Sequence, residues 1–276
     1  MNRFVSVGIF FAMGVGCGGP RAAPIGGDIA LVLERGIEHG SGSFDHSTWD
    51  ELVGRHVRND GRRFDYTGLK ADEDELDAYL RDIATVELAS LASSEIQALF
   101  ANAYNAYTIK TVLDHMSSDG TFAIDSILDV PDVFVRADHV VGGFSLSLDN
   151  IEHNVLRPLF KDPRFHFAVN CASISCPPVP TRAFTGEELD EQLDRVTRNA
   201  LTDSDYVAVD GDALLVTKIM EWYRDDFVNP EYSGSEPTLA GFIANYATPD
   251  VRNFITSRDG NVSVKYRDYD WRLNKP

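Results

Sequence analysis

In residues 72–86, DEDELDAYLRDIATV, apolar side chains recur three and four apart at Leu76, Tyr79, Leu80 and Ile83, the spacing of one helix face. Residues 94–116, SEIQALFANAYNAYTIKTVLDHM, continue it with Ile96, Leu99, Phe100, Ala103 and Tyr107. Ser94 followed by Gln97 reads as the capping box that starts this helix. LSLDNIEHNVLRP, 146–158, predicts another helix, opened by an Asp149–Glu152 box and stopped by Pro158. FHFAVN, 165–170, alternates instead, with Phe165, Phe167 and Val169 on one side and His166, Ala168 and Asn170 on the other, the period of a strand. A helix follows at TGEELDEQL, with Thr185 and Glu188 as its box. YVAVDGDALLVTK, 206–218, is two β-rich runs about Asp-Gly, a hairpin signal. KIMEWYRDDF and LAGFIANYA read as helices, and NVSVKYRDYDW as a closing strand. Helices and strands mix without a regular βαβ beat. The pattern therefore predicts an α+β fold, a single domain over residues 44–276 with helices packed on a small mixed or antiparallel sheet.

The first residues differ in kind. MNRFVSVGIFFAMGVGCGG has a basic Arg3, an apolar run from Val5 to Val15 and then GVGC. About 20 apolar residues are needed to span a bilayer, so the run reads as a signal peptide over residues 1–17. The small residue before Cys17 resembles a bacterial lipobox, although Gly14 stands where Leu is usual. The expectation is a lipid on Cys17, then a flexible tether over 18–43 with a short helix at IALVLERGIE. This puts the protein in an extracytoplasmic position in the bacterial cell envelope, with the membrane as partner through the lipid. Ordinary secretion, with Cys17 removed, is the alternative. The 276 residues include 43 Asp and Glu against 25 Lys and Arg, a net charge of −18. Such a surface repels phosphate backbones, which excludes nucleic acid as a partner.

The chemistry concentrates in HFAVNCASISCPP, 166–178, which holds both cysteines other than Cys17. Three readings fit. As a thiol site, Cys171 is the better nucleophile: the amides of Ala-Ser-Ile-Ser follow it, whereas Pro177 and Pro178 after Cys176 offer no N–H. His166 and His153 are then the candidate bases. As a structural pair, the two cysteines close a short disulfide, which export would allow to persist. As a metal site, His153, His166, Cys171 and Cys176 make a tetrahedral set, but in none of zinc's tight paired spacings. Neither a metal nor a cofactor is expected. His153 and Arg157 lie four apart on one helix face; capping accounts for Glu152 but not for His153. Asn102 and Asn105 sit mid-helix, where Asn is disfavoured, bound either to a ligand or to buried backbone. His39, His46, His56, His115 and His139 have polar surroundings and read as solvated.

ANAYNAYTIK, LSLDNIEHNVLRP, DPRFHFAVNCASISCPP, EWYRDDF and YDWRLN occur in that order, with SFDHSTWDELV and FDYTGL upstream. Together they resemble the domain of unknown function 547 family across residues 44–274. Its Asn-rich helix motif maps onto Asn102, Tyr104 and Asn105, with Phe100-Ala101 where Trp-Ile is frequent. Its Asp-x-Ile-Glu-His segment maps onto Asp149, Glu152, His153 and Arg157, and its third segment onto Arg164, His166, Cys171, Cys176 and Pro177. The family has no established reaction; the joining of some members to glutaredoxin modules points to thiol chemistry. The resemblance implies one shared site, with Cys171, Cys176, His166, His153 and Glu152 as catalytic residues. Asn102, Asn105 and Arg157 would then bind a small-molecule or protein substrate. The function expected is thiol-dependent, by hydrolysis or acyl transfer or by thiol–disulfide exchange. The alternative is a non-catalytic binding or scaffold lipoprotein with a structural Cys171–Cys176 disulfide.

Lipidation is expected to leave the mature protein in the detergent phase with acylated Cys17 as its first residue, and Cys17→Ser is expected to move it to the aqueous phase. Detergent partitioning with N-terminal mass spectrometry checks this; an unmodified N-terminus elsewhere is the contrary result.

Overall fold

The computed structural model describes residues 21–276; the expected signal peptide and Cys17 lie outside the described residues. The first element, α1 (Gly27–His39), buries Ile29, Leu33 and Gly36. At Gly36 a Cβ would lie 2.7 Å from both the Leu88 carbonyl oxygen and Ile96 Cδ1, so only glycine allows this close approach. From Gly27 onward, the stretch expected to be a tether is therefore part of the packed domain. Its apolar residues recur on one face, and that face is covered.

Helix α2 (Ser47–His56), the short pair β1 (Val57–Arg58) and β2 (Arg63–Phe64), α3 (Tyr66–Ala71) and α4 (Glu73–Thr85) lead to the central helix α5 (Ser93–Leu113). The four apolar positions read in 72–86 are the buried ones of α4. Helix α5 is covered on nearly every side rather than along one stripe, as expected of a helix in the middle of a core. It starts at Ser93 after Ala92, with no side-chain cap, so the expected Ser94–Gln97 box does not form. Glu95 in its first turn instead binds His46 and the Gly186 amide.

The hairpin β3 (His139–Val141) and β4 (Phe144–Leu146) precedes α6 (Leu148–Asn150). The capping box here is Ser147–Asn150, not Asp149–Glu152. Pro158 does not end the element: α6 continues as a π-helix over Ile151–Phe160 with Pro158 inside it. The expected strand at 165–170 is also absent. Pro163–Phe167 is a 3-10 turn, opened by Pro163 and by the Asp162 side chain accepting from the Arg164 amide. Phe165, His166 and Phe167 are all buried, so their alternation reflects two different cores and not the two faces of a sheet.

Helix α7 (Leu189–Leu201) follows Glu188 without a side-chain cap; the Thr185 amide is taken by Gln192 instead. The predicted hairpin forms as β5 (Val207–Asp210) and β6 (Ala213–Val216), with Gly211 at φ +63° in its turn. Strand β7 (Ser263–Tyr266) adds to β6 in parallel, making a mixed three-stranded sheet. Around it lie α8 (Ile219–Trp222), α9 (Arg224–Val228), α10 (Leu239–Tyr246) and α11 (Pro249–Thr256). The fold is α+β. One apolar core runs from α1 to the start of α7 and a second joins the end of α7 to the sheet and the last helices, with Phe165 in the first and Phe167 in the second. His166 therefore sits at their junction. His46, His56 and His139 are buried, not solvated, because carboxylates or aromatic rings reach them through the fold. Among the described residues no helix is long and apolar enough to cross a membrane.

Leu33 is fully buried. Leu33→Ala is expected to destabilise the domain by about 2–5 kcal/mol, read from the urea midpoint; an unaffected midpoint would mean that α1 is not docked in solution.

Candidate functional site

Cys171 and Cys176 form a disulfide, with Cα atoms 6.3 Å apart. The loop between them is braced at several points. Asn170 donates from Nδ2 to the Pro177 carbonyl at 2.6 Å and accepts from the Ala172 amide at 2.8 Å, holding Ala172 at φ +63°. Tyr206 donates to the Cys176 carbonyl at 2.6 Å. The sulfurs are not alone either. The Cys171 amide donates to Cys176 Sγ at 2.9 Å, and the Tyr269 hydroxyl lies 3.1 Å from Cys176 Sγ and 3.4 Å from Cys171 Sγ.

Beside this loop lies a buried charge network. Its centre is Asp226 on α9. Arg157 donates from Nε to Oδ2 at 2.6 Å and from Nη2 to Oδ1 at 2.9 Å, while His166 Nε2 is 2.8 Å from Oδ2. Burial pushes the Asp226 carboxyl up, but these hydrogen bonds and charges outweigh it and leave the group well below the usual carboxylate range. Arg157 also donates from Nη1 to His153 Nδ1 at 2.7 Å. Arginine can only donate, so a neutral His153 carries its proton on Nε2, which lies 3.6 Å from Asp149 Oδ1 and 3.8 Å from Glu152 Oε1. Burial, with Arg157 adding to it against the pull of Glu152, brings the His153 pKa down to about 4. Tyr223 packs across the group: its ring stacks on His166 with centroids 3.9 Å apart, and the Arg157 guanidinium lies 5.0 Å from its centre. Glu152 is buried, which raises its pKa. The positive charges of His153 and His166 when protonated, the hydrogen bond from Tyr223 and the Arg157 guanidinium outweigh that and lower it below its ordinary range.

The loop and the network meet at a small concavity of about 30 Å³, lined by Glu152, His166, Cys171, Cys176, Tyr223 and Tyr269 among others. Of the residues proposed as catalytic from sequence, four line this space. The fifth, His153, stands one layer behind it through Arg157 and Glu152. Asn102, Asn105 and Arg157, expected to bind substrate, are not part of the wall. Asn102 is bonded to the amide and carbonyl of Phe184 and to His46. Asn105 clamps the Ala168 carbonyl and the Asn170 amide. Both carboxamides satisfy buried backbone, and Tyr104 between them is the α5 residue that lines the concavity. The zinc set is not assembled: the sulfurs are bonded to each other and the two histidines to Asp226 and Arg157.

Asp226, Tyr223 and Tyr269 join the site with no sequence signal of their own. Each lies within EWYRDDF or YDWRLN, but nothing local to those stretches marks an acid 60 residues from its histidine. Glu152 reads from sequence as a cap, but Ser147 and Asn150 form the box and leave its carboxylate free for the site.

Residues 88–200 match the family described as "Protein of unknown function, DUF547". The chain carries a DUF547 region. The match is narrower than the resemblance read over 44–274. It includes Glu152, His153, Arg157, His166 and both cysteines, and ends before Asp226 and Tyr269. No curated protein and no solved structure matches the chain significantly.

The His153 shift makes a pH prediction. Between the unfolded value of about 6.5 and the folded value of about 4, the unfolded chain binds a proton that the folded one does not. Stability is then complete above about pH 6.5 and falls on acidification towards pH 4. His153→Gln is expected to shrink this slope by up to about 3 kcal/mol across the window. Part of it remains, because His139 is also lowered by burial. Urea unfolding at several pH values measures it; an unchanged slope contradicts the assignment.

Proposed function

We propose that this chain is a thiol–disulfide exchange protein of the bacterial cell envelope, with Cys171–Cys176 as its redox couple. The observation that carries this reading is the position of the disulfide: it lines the same concavity as a buried ionised carboxylate, Glu152, and a carboxylate-paired imidazole, His166. A disulfide that only braced a loop would need neither group. Hydrolysis or acyl transfer would need a free thiol at the same position and is the weaker reading of an oxidised pair.

In the proposed reaction a substrate thiolate attacks Cys171 Sγ. The S–S bond breaks, a mixed disulfide forms and Cys176 leaves as a thiolate. The Cys171 amide, 2.9 Å from Cys176 Sγ, favours that sulfur as the leaving group. A second substrate thiolate then attacks the mixed disulfide, releasing the substrate disulfide and Cys171 thiolate. Two electrons pass from two substrate thiols to the protein dithiol. His166, whose Nε2 is held by Asp226, offers Nδ1 for the protons given up by the thiols and taken by the cysteines.

A location outside the cytoplasm is consistent with a persistent disulfide and with the apolar run ending at Cys17.

The test is a redox titration with alkylation of the purified domain. The Cys171–Cys176 couple is expected above about −300 mV, the region below which structural disulfides fall. Glu152→Gln, and His166→Gln in place of the more disruptive Ala, are expected to slow exchange with a small thiol by about 10²-fold in protein shown to be folded by circular dichroism. A pair that resists reduction, with unaltered rates in both variants, would make it a structural brace in a binding or scaffold protein.

A further inference from the structure

Tyr269 has a second side. Beyond it lies another cavity, of about 360 Å³, whose wall shares Tyr269 with the disulfide concavity. In a chain of net charge −18, four cations face this space: Arg62, Arg63, Lys218 and Arg267. Two are committed, Arg62 to Asp203 and Asp205, and Lys218 to Glu221. The other two have no carboxylate partner among the described residues. Arg63 donates to the Arg62 carbonyl, and Arg267 donates from Nη2 to the Ser204 carbonyl. Arg267 Nε is buried and makes no hydrogen bond at all. A buried donor without an acceptor costs about 1–3 kcal/mol, and groups of this kind call for an explanation. The acids of the wall do not supply the acceptor. Asp205 is held by Arg62 and Asp270 by Arg272; Arg63 acts on Asp270 only through space, and neither Arg63 nor Arg267 is in a salt bridge to the acids of the wall.

We infer that this cleft is the subsite for an anionic group, carboxylate or phosphate, of the molecule whose sulfur exchanges with Cys171–Cys176. The inference rests on the exchange reading and names its substrate class: small or peptidic thiols and disulfides bearing an oxyanion. Arg63 and Arg267 would take the anion as charge-assisted donors. Tyr269 lies between the two spaces, with its hydroxyl on the sulfurs, so a molecule with its anion in the cleft would have its sulfur presented past that ring.

The test compares two small disulfides on the reduced protein, the dianionic 5,5′-dithiobis(2-nitrobenzoate) and the neutral 4,4′-dithiodipyridine. Each oxidises the dithiol to Cys171–Cys176 and releases two aromatic thiols, so the rates are read optically. Arg63→Gln with Arg267→Gln is expected to slow the anionic reagent by about tenfold or more and to leave the neutral one within about twofold. Raising the salt concentration should narrow the difference in the native protein. Arg63→Gln alone, the milder change, keeps the test available if the double variant unfolds. Equal slowing of both reagents, or no slowing of either, overturns the inference. If the native protein reacts with neither reagent, the exchange reading fails instead. The cleft is then judged by titrating the oxidised protein with inorganic phosphate and with succinate. Binding that Arg63→Gln weakens supports an anion site and tells phosphate from carboxylate; its absence for both removes the site.

Discussion

Asp226 is a carboxylate taken out of water at the junction of two apolar cores, and the arrangement of the site follows from what keeps it there. An isolated buried charge is strongly unfavourable. Here a bidentate Arg157 and His166 surround it, and both come from the other side of the junction. Removing one member of such a buried set typically costs about 3–5 kcal/mol, because the remaining charge is left uncompensated. The same interaction sets three other orientations. It aligns the Arg157 fork so that a third nitrogen meets His153, it fixes which ring nitrogen of His166 is occupied, and it leaves the guanidinium over the Tyr223 ring. Tyr223 in turn supplies the hydrogen bond that helps keep Glu152 ionised.

The disulfide loop is held by a different kind of force. Its restraints are neutral hydrogen bonds from carboxamides to backbone, with Asn170 at its centre and Asn105 behind it. Ala172 occupies the left-handed region, which costs a non-glycine residue about 1–2 kcal/mol and persists because the Asn170 side chain and the Asn274 amide grip both sides of its peptide. A loop so determined keeps the two sulfurs facing the concavity. The π-helical register of Ile151–Phe160 does the same for Glu152. Widened helical turns of this type recur at functional sites, and here the turn presents Glu152 and Arg157 toward the junction together.

Much of the scaffold was legible from periodicity. The apolar faces of α4, the hairpin β5–β6 and the α+β class all follow from spacings of two and of three to four, because burial selects apolar side chains at the period of the element. The errors fall where two surfaces cover one segment. FHFAVN alternates because Phe165 and Phe167 enter different cores, and α5 carries Asn102 and Asn105 because a helix covered on all sides needs polar groups to satisfy neighbouring backbone. Capping boxes were misplaced at three helices, since Ser, Thr, Asp and Glu near a start are common and only the backbone geometry selects which of them caps.

By itself the sequence determined which residues carry chemistry near one another along the chain: Glu152, His153 and Arg157 on one helix, and His166, Cys171 and Cys176 on one loop. It also determined that the surface is acidic and that the domain mixes helices with a small sheet. Only the tertiary structure decided that these two segments share a concavity. It brought Asp226, Tyr223 and Tyr269 to them from 47 to 117 residues away, and it set the guanidinium groups without carboxylate partners on the far side of Tyr269. The physical reason is that pairing of charges and closing of cavities depend on distance in space, and no local pattern encodes a partner that the chain supplies only after it has folded back.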